Sequence, residues 1–230
     1  MPAAKDNRPE EIPITDRLND FIQKNRSKLL IGLLAVIVIL AGFIVVTTMR
    51  DKVRAGALSK VDAFNRRYEA LKPYIAGEEA ASKQSDVDAL LEELAVFAAK
   101  NSGFAAARAY TISAGIYWDE KNWAEAQKAW LASAEVAAKT YLAPVSICNA
   151  AVAAEEQGDV QSAIDLYTRA IDTDNSFPAA ARSQFSIGRL EESRNNPTAA
   201  LEAYRTLVSK WPDDPVWSNL AQSRIVVLSD

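Results

Sequence analysis

Few side chains in this sequence could act as catalysts. Histidine is absent from the 230 residues, and with it the commonest general base and the commonest metal ligand. Cys148 is the single cysteine, so no Cys-His pair, no cysteine zinc site and no internal disulfide can form. Chemistry that uses carboxylates alone stays open in principle, but no pair stands out among the 30 acidic residues. We therefore expect a protein that is not an enzyme and has no catalytic, cofactor or metal site.

Charge and glycine content weigh against two further classes of ligand. Residues 51–230 carry 19 basic and 25 acidic side chains, a net charge of −6, whereas nucleic-acid binding requires the opposite sign. The 8 glycines are scattered and form no phosphate-binding loop. Nucleic-acid binding and phosphate binding through a glycine-rich loop are therefore not expected.

The strongest pattern in the chain is a repeat of 37 residues, with units that begin at Ala107, Pro144 and Ala181. Small residues occupy the eighth and twentieth places, an aromatic residue occupies the twenty-fourth, and Ser, Ala or Leu occupies the twenty-seventh. In the order of the units these residues are Ala114, Ala151 and Gly188; Ala126, Ala163 and Ala200; Trp130, Tyr167 and Tyr204; and Ser133, Ala170 and Leu207.

This spacing predicts a stack of helical hairpins. Two antiparallel helices can approach closely where a small residue faces a large one, so the alanines and glycine face the neighbouring backbone while the aromatic ring fills the space beside them. A single hairpin cannot bury its second apolar face, and stacking about three of them supplies that burial. We therefore predict an all-α superhelical solenoid in which these aromatic side chains belong to the core.

The repeat resembles the tetratricopeptide repeat (TPR), whose usual period is about 34 residues. The resemblance covers residues 107–212, although a turn glycine is kept only at Gly158 and a closing proline only at Pro212. We expect a TPR-like solenoid over residues 86–230, closed by a capping helix within "DPVWSNLAQSRIVVLSD".

The TPR resemblance also implies where partners bind, because such solenoids bind them on the face lined by the first helix of each hairpin. The candidate partner-binding residues on that face are Arg108, Trp118, Glu155, Arg182, Phe185 and Arg189. Tryptophan and arginine are among the residues that dominate binding energy at protein interfaces. The alternative is that a helix over residues 51–72 of this same chain occupies the groove.

Residues 29–48, "LLIGLLAVIVILAGFIVVTT", contain no charge. Twenty residues of helix span the roughly 30 Å hydrocarbon core of a bilayer, so we predict a transmembrane helix here. A cleaved signal peptide is less compatible with the 28 residues that precede the segment. Four basic residues lie near each end, so charge alone does not give the orientation.

The segments on either side of this apolar stretch each allow two interpretations. Residues 1–28 form a tail in which 1–13 are expected to be disordered and 14–28 form either an amphipathic helix on the membrane surface or a helical extension of the span. Residues 49–85 form a stalk helix and loop with a heptad-like seam. The seam either packs against the domain or forms a homodimer through Val61, Phe64 and Tyr68.

The order of tail, span, stalk, repeats and closing helix resembles the YfgM-type family of bacterial inner-membrane proteins. The resemblance implies a cytoplasmic amino terminus, a periplasmic domain, and partners that include Sec translocon subunits and a periplasmic chaperone. The expected function is a membrane-anchored adaptor that binds chaperones and nascent or translocating chains near the translocon. The alternative is a dimerising structural scaffold for a cell-envelope or division complex.

Overall fold

The computed structural model describes residues 14–75 and 80–229, and every regular element in these ranges is an α-helix. The helices are α1 (Ile14–Ile75), α2 (Ala80–Lys100), α3 (Gly103–Asp119), α4 (Trp123–Val136), α5 (Leu142–Glu156), α6 (Val160–Thr173), α7 (Ala180–Ser193), α8 (Pro197–Lys210) and α9 (Pro215–Ser229). The all-α prediction is confirmed. The predicted disordered tail, residues 1–13, lies outside the described residues.

The chain forms two compact units, Met1–Ala55 and Gly56–Asp230. In the first unit, α1 begins at Ile14 and continues without a break through the apolar segment. The segment Phe21–Ile75 includes an 18-residue window with a mean hydropathy of 3.3, none of which is buried. By length and composition this helix could cross a membrane.

In the second unit, helices α3 to α9 form a solenoid. Each helix contacts the next one in sequence, and the hairpins are α3/α4, α5/α6 and α7/α8. The first helices also meet, since α3 contacts α5 and α7 contacts α9. This pattern of neighbour-to-neighbour contact is typical of stacked repeats.

The repeated residues take the places that the small-against-large argument predicts. The alanines of the eighth and twentieth places are 0% exposed, and Tyr167 and Tyr204 are 2% and 1% exposed. Gly188 lies directly beneath the ring of Tyr204. The hydroxyl of Ser133, at the twenty-seventh place, forms hydrogen bonds with Thr111 and Ser146 at 3.1 and 3.0 Å, so this polar group is satisfied in the core.

Each hairpin has the same three-residue turn. Its last residue caps the second helix, because the side chains of Asn122, Asp159 and Asn196 accept hydrogen bonds from backbone N–H groups three residues later. Such capping satisfies donors that the first turn of a helix leaves free. The residue before the cap has a positive φ: 59° at Lys121, 76° at Gly158 and 57° at Asn195. The turn therefore needs the left-handed conformation even where glycine is missing.

Replacing Lys121 with glycine is expected to stabilise the domain by about 1 kcal/mol, because a side chain in the left-handed region costs about 1–2 kcal/mol and glycine avoids that cost. Asn195→Gly is the matched comparison and should gain less, since asparagine tolerates this conformation. Urea denaturation of residues 51–230 measures both. A destabilised Lys121→Gly protein would show that the lysine side chain holds the turn by other contacts.

The stalk seam packs within the domain, which corrects the homodimer alternative. Val61, Phe64 and Tyr68 are 0%, 3% and 8% exposed, and they share a core with residues of α2 and α3. The ring of Phe64 meets Phe97 edge-on at 5.5 Å. These side chains are occupied by contacts inside the chain, which leaves little of their surface for a seam with a second copy.

Helix α2 begins earlier than the sequence indicated. Residues 49–85 were expected to hold the stalk helix and the loop after it, whereas α2 already begins at Ala80. Two contacts stabilise the added turns, from Lys83 to Asp86 at 3.3 Å and from Gln84 to Asp88 at 3.0 Å. Side-chain pairs at this spacing favour a helix over a loop.

Candidate functional site

A groove of about 340 Å³ lies along the first helices of the repeats. Residues of α3, α5 and α7 line it, together with Trp130 of α4 and the last turns of α1. The lining residues are Tyr68, Lys72, Gly115, Trp118, Asp119, Trp130, Asn149, Val152 and Arg182. Two of the six candidate partner-binding residues, Trp118 and Arg182, therefore lie at one site.

Trp118 gives the groove an aromatic wall. Its ring packs against Trp123 at 4.7 Å and Trp130 at 5.5 Å between centroids. These two contacts fix the indole, while Trp118 itself remains partly exposed. A fixed, half-buried indole loses little conformational freedom on binding, which favours its use as an anchor for a partner side chain.

Arg182 gives the groove a cation that has no ion-pair partner among the described residues. It is exposed on α7, and within residues 14–75 and 80–229 no carboxylate forms an ion pair with its guanidinium. The neighbouring Asn149 and Val152 come from α5. An unpaired guanidinium beside an apolar wall suits an acidic or carbonyl group on a bound chain.

The end of α1 closes one side of the groove without filling it. The hydroxyl of Tyr68 donates a hydrogen bond to Asp119 at 2.7 Å, and Lys72 lies 4.0 Å from the same carboxylate. Burial and then this hydrogen bond raise the pKa of Tyr68, so its hydroxyl remains a donor. The stalk helix thus contributes a wall at the α3 end and leaves Arg182 accessible.

The other four candidate residues make contacts within the domain. Arg108 forms an ion pair with Asp62 of α1 at 2.7 Å, and Glu155 and Arg189 pair with each other. Phe185 packs on Tyr204 at 5.3 Å and on Trp217 at 5.4 Å. Cys148 is 6% exposed beside the Ser183 hydroxyl, and burial raises the pKa of its thiol, which agrees with a packing role.

Two carboxylates link successive repeats in the same way. Glu155 accepts a hydrogen bond from Tyr167 at 2.6 Å and pairs with an arginine of the next first helix, Arg189. One repeat later, Glu192 accepts from Tyr204 at 2.6 Å and pairs with Arg224 of α9. Glu192 and Arg224 are not among the residues predicted from the sequence, although a glutamate does recur at the twelfth place of two units, as Glu155 and Glu192.

The pairing of Glu192 with Arg224 predicts a pH dependence of stability. The hydrogen bond from Arg224, aided by that from Tyr204, holds the pKa of Glu192 below its ordinary value of 4.5. A carboxyl whose pKa is lower in the folded state stabilises the fold above its unfolded-state pKa, and this contribution disappears as the pH falls through the folded-state pKa. Wild type should therefore exceed Glu192→Gln by about 1 kcal/mol at pH 7.

Thermal denaturation of the two proteins between pH 7 and pH 3 tests this. The difference in stability should be constant above about pH 5 and shrink below it. A difference that stayed the same down to pH 3 would mean that the carboxylate charge of Glu192 contributes nothing.

Within residues 14–75 and 80–229, no three carboxylate or thiol side chains lie close enough together to bind a metal ion.

Asn149 also lines the groove but was not predicted from the sequence, although it follows Cys148 on a first helix. The site as a whole can therefore hold a chain segment between a tryptophan wall and an arginine.

The architecture agrees with the similarity to known proteins. The tetratricopeptide-repeat model matches residues 148–215. A TPR repeat-containing protein of Treponema pallidum (strain Nichols) is 32% identical over 229 residues, which cover 93% of each chain. The chain belongs to the TPR family.

Solved TPR structures share the fold. Two crystal structures of nearly identical TPR-like repeats from Podosopora anserina, one of them of a point variant, superpose with a TM-score of 0.51 at 14% identity. They cover 73% of this chain and 86% and 85% of theirs. TPR folds are typically protein-interaction scaffolds without enzymatic activity. Membership of this family therefore implies a scaffold for protein–protein interaction.

Proposed function

We propose that this TPR protein is a membrane-anchored adaptor that binds protein partners in the groove between Trp118 and Arg182. The observation that carries the proposal is the exposed guanidinium of Arg182, which has no ion-pair partner among the described residues and lies beside a fixed tryptophan wall. Arg108 and Arg189, by contrast, are paired with Asp62 and Glu155. A charge left free in a concave site is available for a partner.

The apolar segment of α1 supports the anchor. Its 18-residue window with a mean hydropathy of 3.3 is wholly exposed, and such a surface is stable in a lipid bilayer but costly in water. The resemblance to the YfgM-type family supplies the finer part of the proposal: an inner-membrane location, a cytoplasmic amino terminus, a periplasmic TPR domain, and as partners Sec translocon subunits, a periplasmic chaperone and translocating chains.

Co-purification from detergent-solubilised membranes tests the partners. Wild-type protein should recover Sec subunits or periplasmic chaperones, and Arg182→Glu should reduce that recovery at least tenfold through charge reversal. Arg169→Glu is the matched control, because Arg169 is also exposed but lies on α6, away from the groove. Recovery of neither class of protein, or equal recovery by both variants, would contradict the proposal.

Protease treatment of spheroplasts tests the orientation. The TPR domain should be digested by protease added from outside. Protection of the domain until the cells are lysed would place it in the cytoplasm and exclude periplasmic partners.

A further inference from the structure

Helix α9 has an outer face that is apolar and uncovered. Val216, Leu220 and Val227 are 61%, 45% and 60% exposed, and with Ser223 they lie at spacings of 4, 3 and 4 residues on one side of the helix. Arg224 is the only charged residue between Pro215 and Ser229, and it is paired with Glu192. A helix face that is left to water is ordinarily polar.

Two equivalent ion pairs align α9 with α7 and so identify this face by comparison with the preceding repeat. Arg189 bonds to a glutamate 34 residues before it, and Arg224 bonds to one 32 residues before it. The two arginines thus hold equivalent places in α7 and α9. The interval is 35 residues instead of 37 because the linker before α9 has four residues, 211–214, whereas the linker before α7 has six, 174–179.

In this register, Asn219 and Ser223 of α9 correspond to Gln184 and Gly188 of α7. Gln184 donates a hydrogen bond to the backbone carbonyl of Ala203 in α8 at 3.2 Å, and Gly188 lies under the ring of Tyr204, also in α8. The exposed face of α9 is therefore the face that the second helix of a hairpin covers in the preceding repeat. In the described part of the chain, no second helix covers it.

We infer that α9 of a second copy of this chain occupies this face. The second helix of a hairpin runs antiparallel to the first, and two copies of α9 related by a two-fold axis also run antiparallel. With the axis between Leu220 and Ser223, Leu220 of each copy meets Ser223 of the other, and Val216 meets Val227. A large residue then faces a small one, as Tyr204 faces Gly188 inside the chain.

The absence of charge on this face favours a second copy over an unrelated partner. Two copies bring identical surfaces together, and a charged face would repel its own image, whereas this face has no free charge that could select an oppositely charged partner. A contact between two helices is small compared with stable interfaces of about 1,200 Å² or more. The dimer is therefore reversible and depends on concentration.

Cysteine cross-linking of the full-length protein in detergent tests the inference. Ser223→Cys with a short bis-maleimide should give a product of twice the 25.1 kDa chain mass, and mixing two differently tagged chains should give the mixed dimer. Ser209→Cys, an exposed serine of α8, is the matched control and should give no product. The wild-type chain, whose single cysteine is the buried Cys148, shows whether that residue contributes to the cross-linked product.

A second pair of variants separates docking from folding. Leu220→Asp should lower the yield of the Ser223→Cys cross-link at least tenfold, and Val96→Asp should leave it unchanged, since Leu220 and Val96 are 45% and 47% exposed. Circular dichroism should show the same helix content in both. A chain that stays monomeric at every concentration, or cross-linking of Ser223→Cys only to another protein in intact membranes, would overturn the inference.

Discussion

Replacing Gly188 with alanine is expected to destabilise the domain by about 2 kcal/mol through overpacking. A Cβ atom at Gly188 would lie 2.5, 2.7 and 2.8 Å from three ring carbons of Tyr204. The ring cannot move aside easily, because it is 1% exposed, its hydroxyl is bonded to Glu192, and Phe185 packs beside it at 5.3 Å. The clash therefore outweighs the helix propensity that alanine gains.

The matched control is Gly56→Ala, also within a helix. A Cβ atom at Gly56 meets nothing within 4 Å, so this change should stabilise by up to about 1 kcal/mol. Urea denaturation of residues 51–230 measures both variants, and a double-mutant cycle with Tyr204→Ala should remove the penalty at Gly188. A gain at both glycines would contradict the close packing of these two helices.

Placing an aspartate at Val61 is expected to have a still larger effect, a loss of about 3–5 kcal/mol, because the carboxylate would be buried without a partner. Val61 is 0% exposed and packs in the same core as Leu90 and Leu94 of α2. Val53→Asp makes the same change on the same helix at a side chain that is 71% exposed, and its effect should stay within about 0.5 kcal/mol.

Sedimentation and denaturation of the two Val→Asp proteins separate the two interpretations of the stalk. Packing within the domain predicts that Val61→Asp loses stability whatever the protein concentration. A dimer seam would instead give a folded monomer of nearly unchanged stability, and that outcome would restore the structural-scaffold alternative.

The sequence was sufficient to predict the repeated core. Spacing alone identified Ala163 and Tyr204 as buried, because a small or aromatic residue repeating every 37 positions has few explanations other than close packing of helices. The prediction of the core depends on periodicity, which can be read from the sequence directly. The TPR resemblance placed Trp118 and Arg182 on one face, since both belong to first helices.

Contacts between charged side chains could not be predicted from the repeat period. The ion pair between Glu155 and Arg189 was not predicted, because the distance between these two side chains depends on how the repeats stack. Likewise, the two residues missing from the linker before α9 shift Arg224 into register with Arg189, and a search for an exact 37-residue period overlooks that shift. Tertiary geometry, not residue type, decides both.

Site-specific photo-cross-linking in living cells tests the central claim most directly. A photoreactive phenylalanine analogue at the position of Val152, which lines the groove, should form adducts with other proteins, and Arg182→Glu should abolish them. The same analogue at Asp165, exposed on the outer side of α6, should form few. Adducts from position 165 but none from position 152 would contradict the assignment of this groove as the partner-binding site.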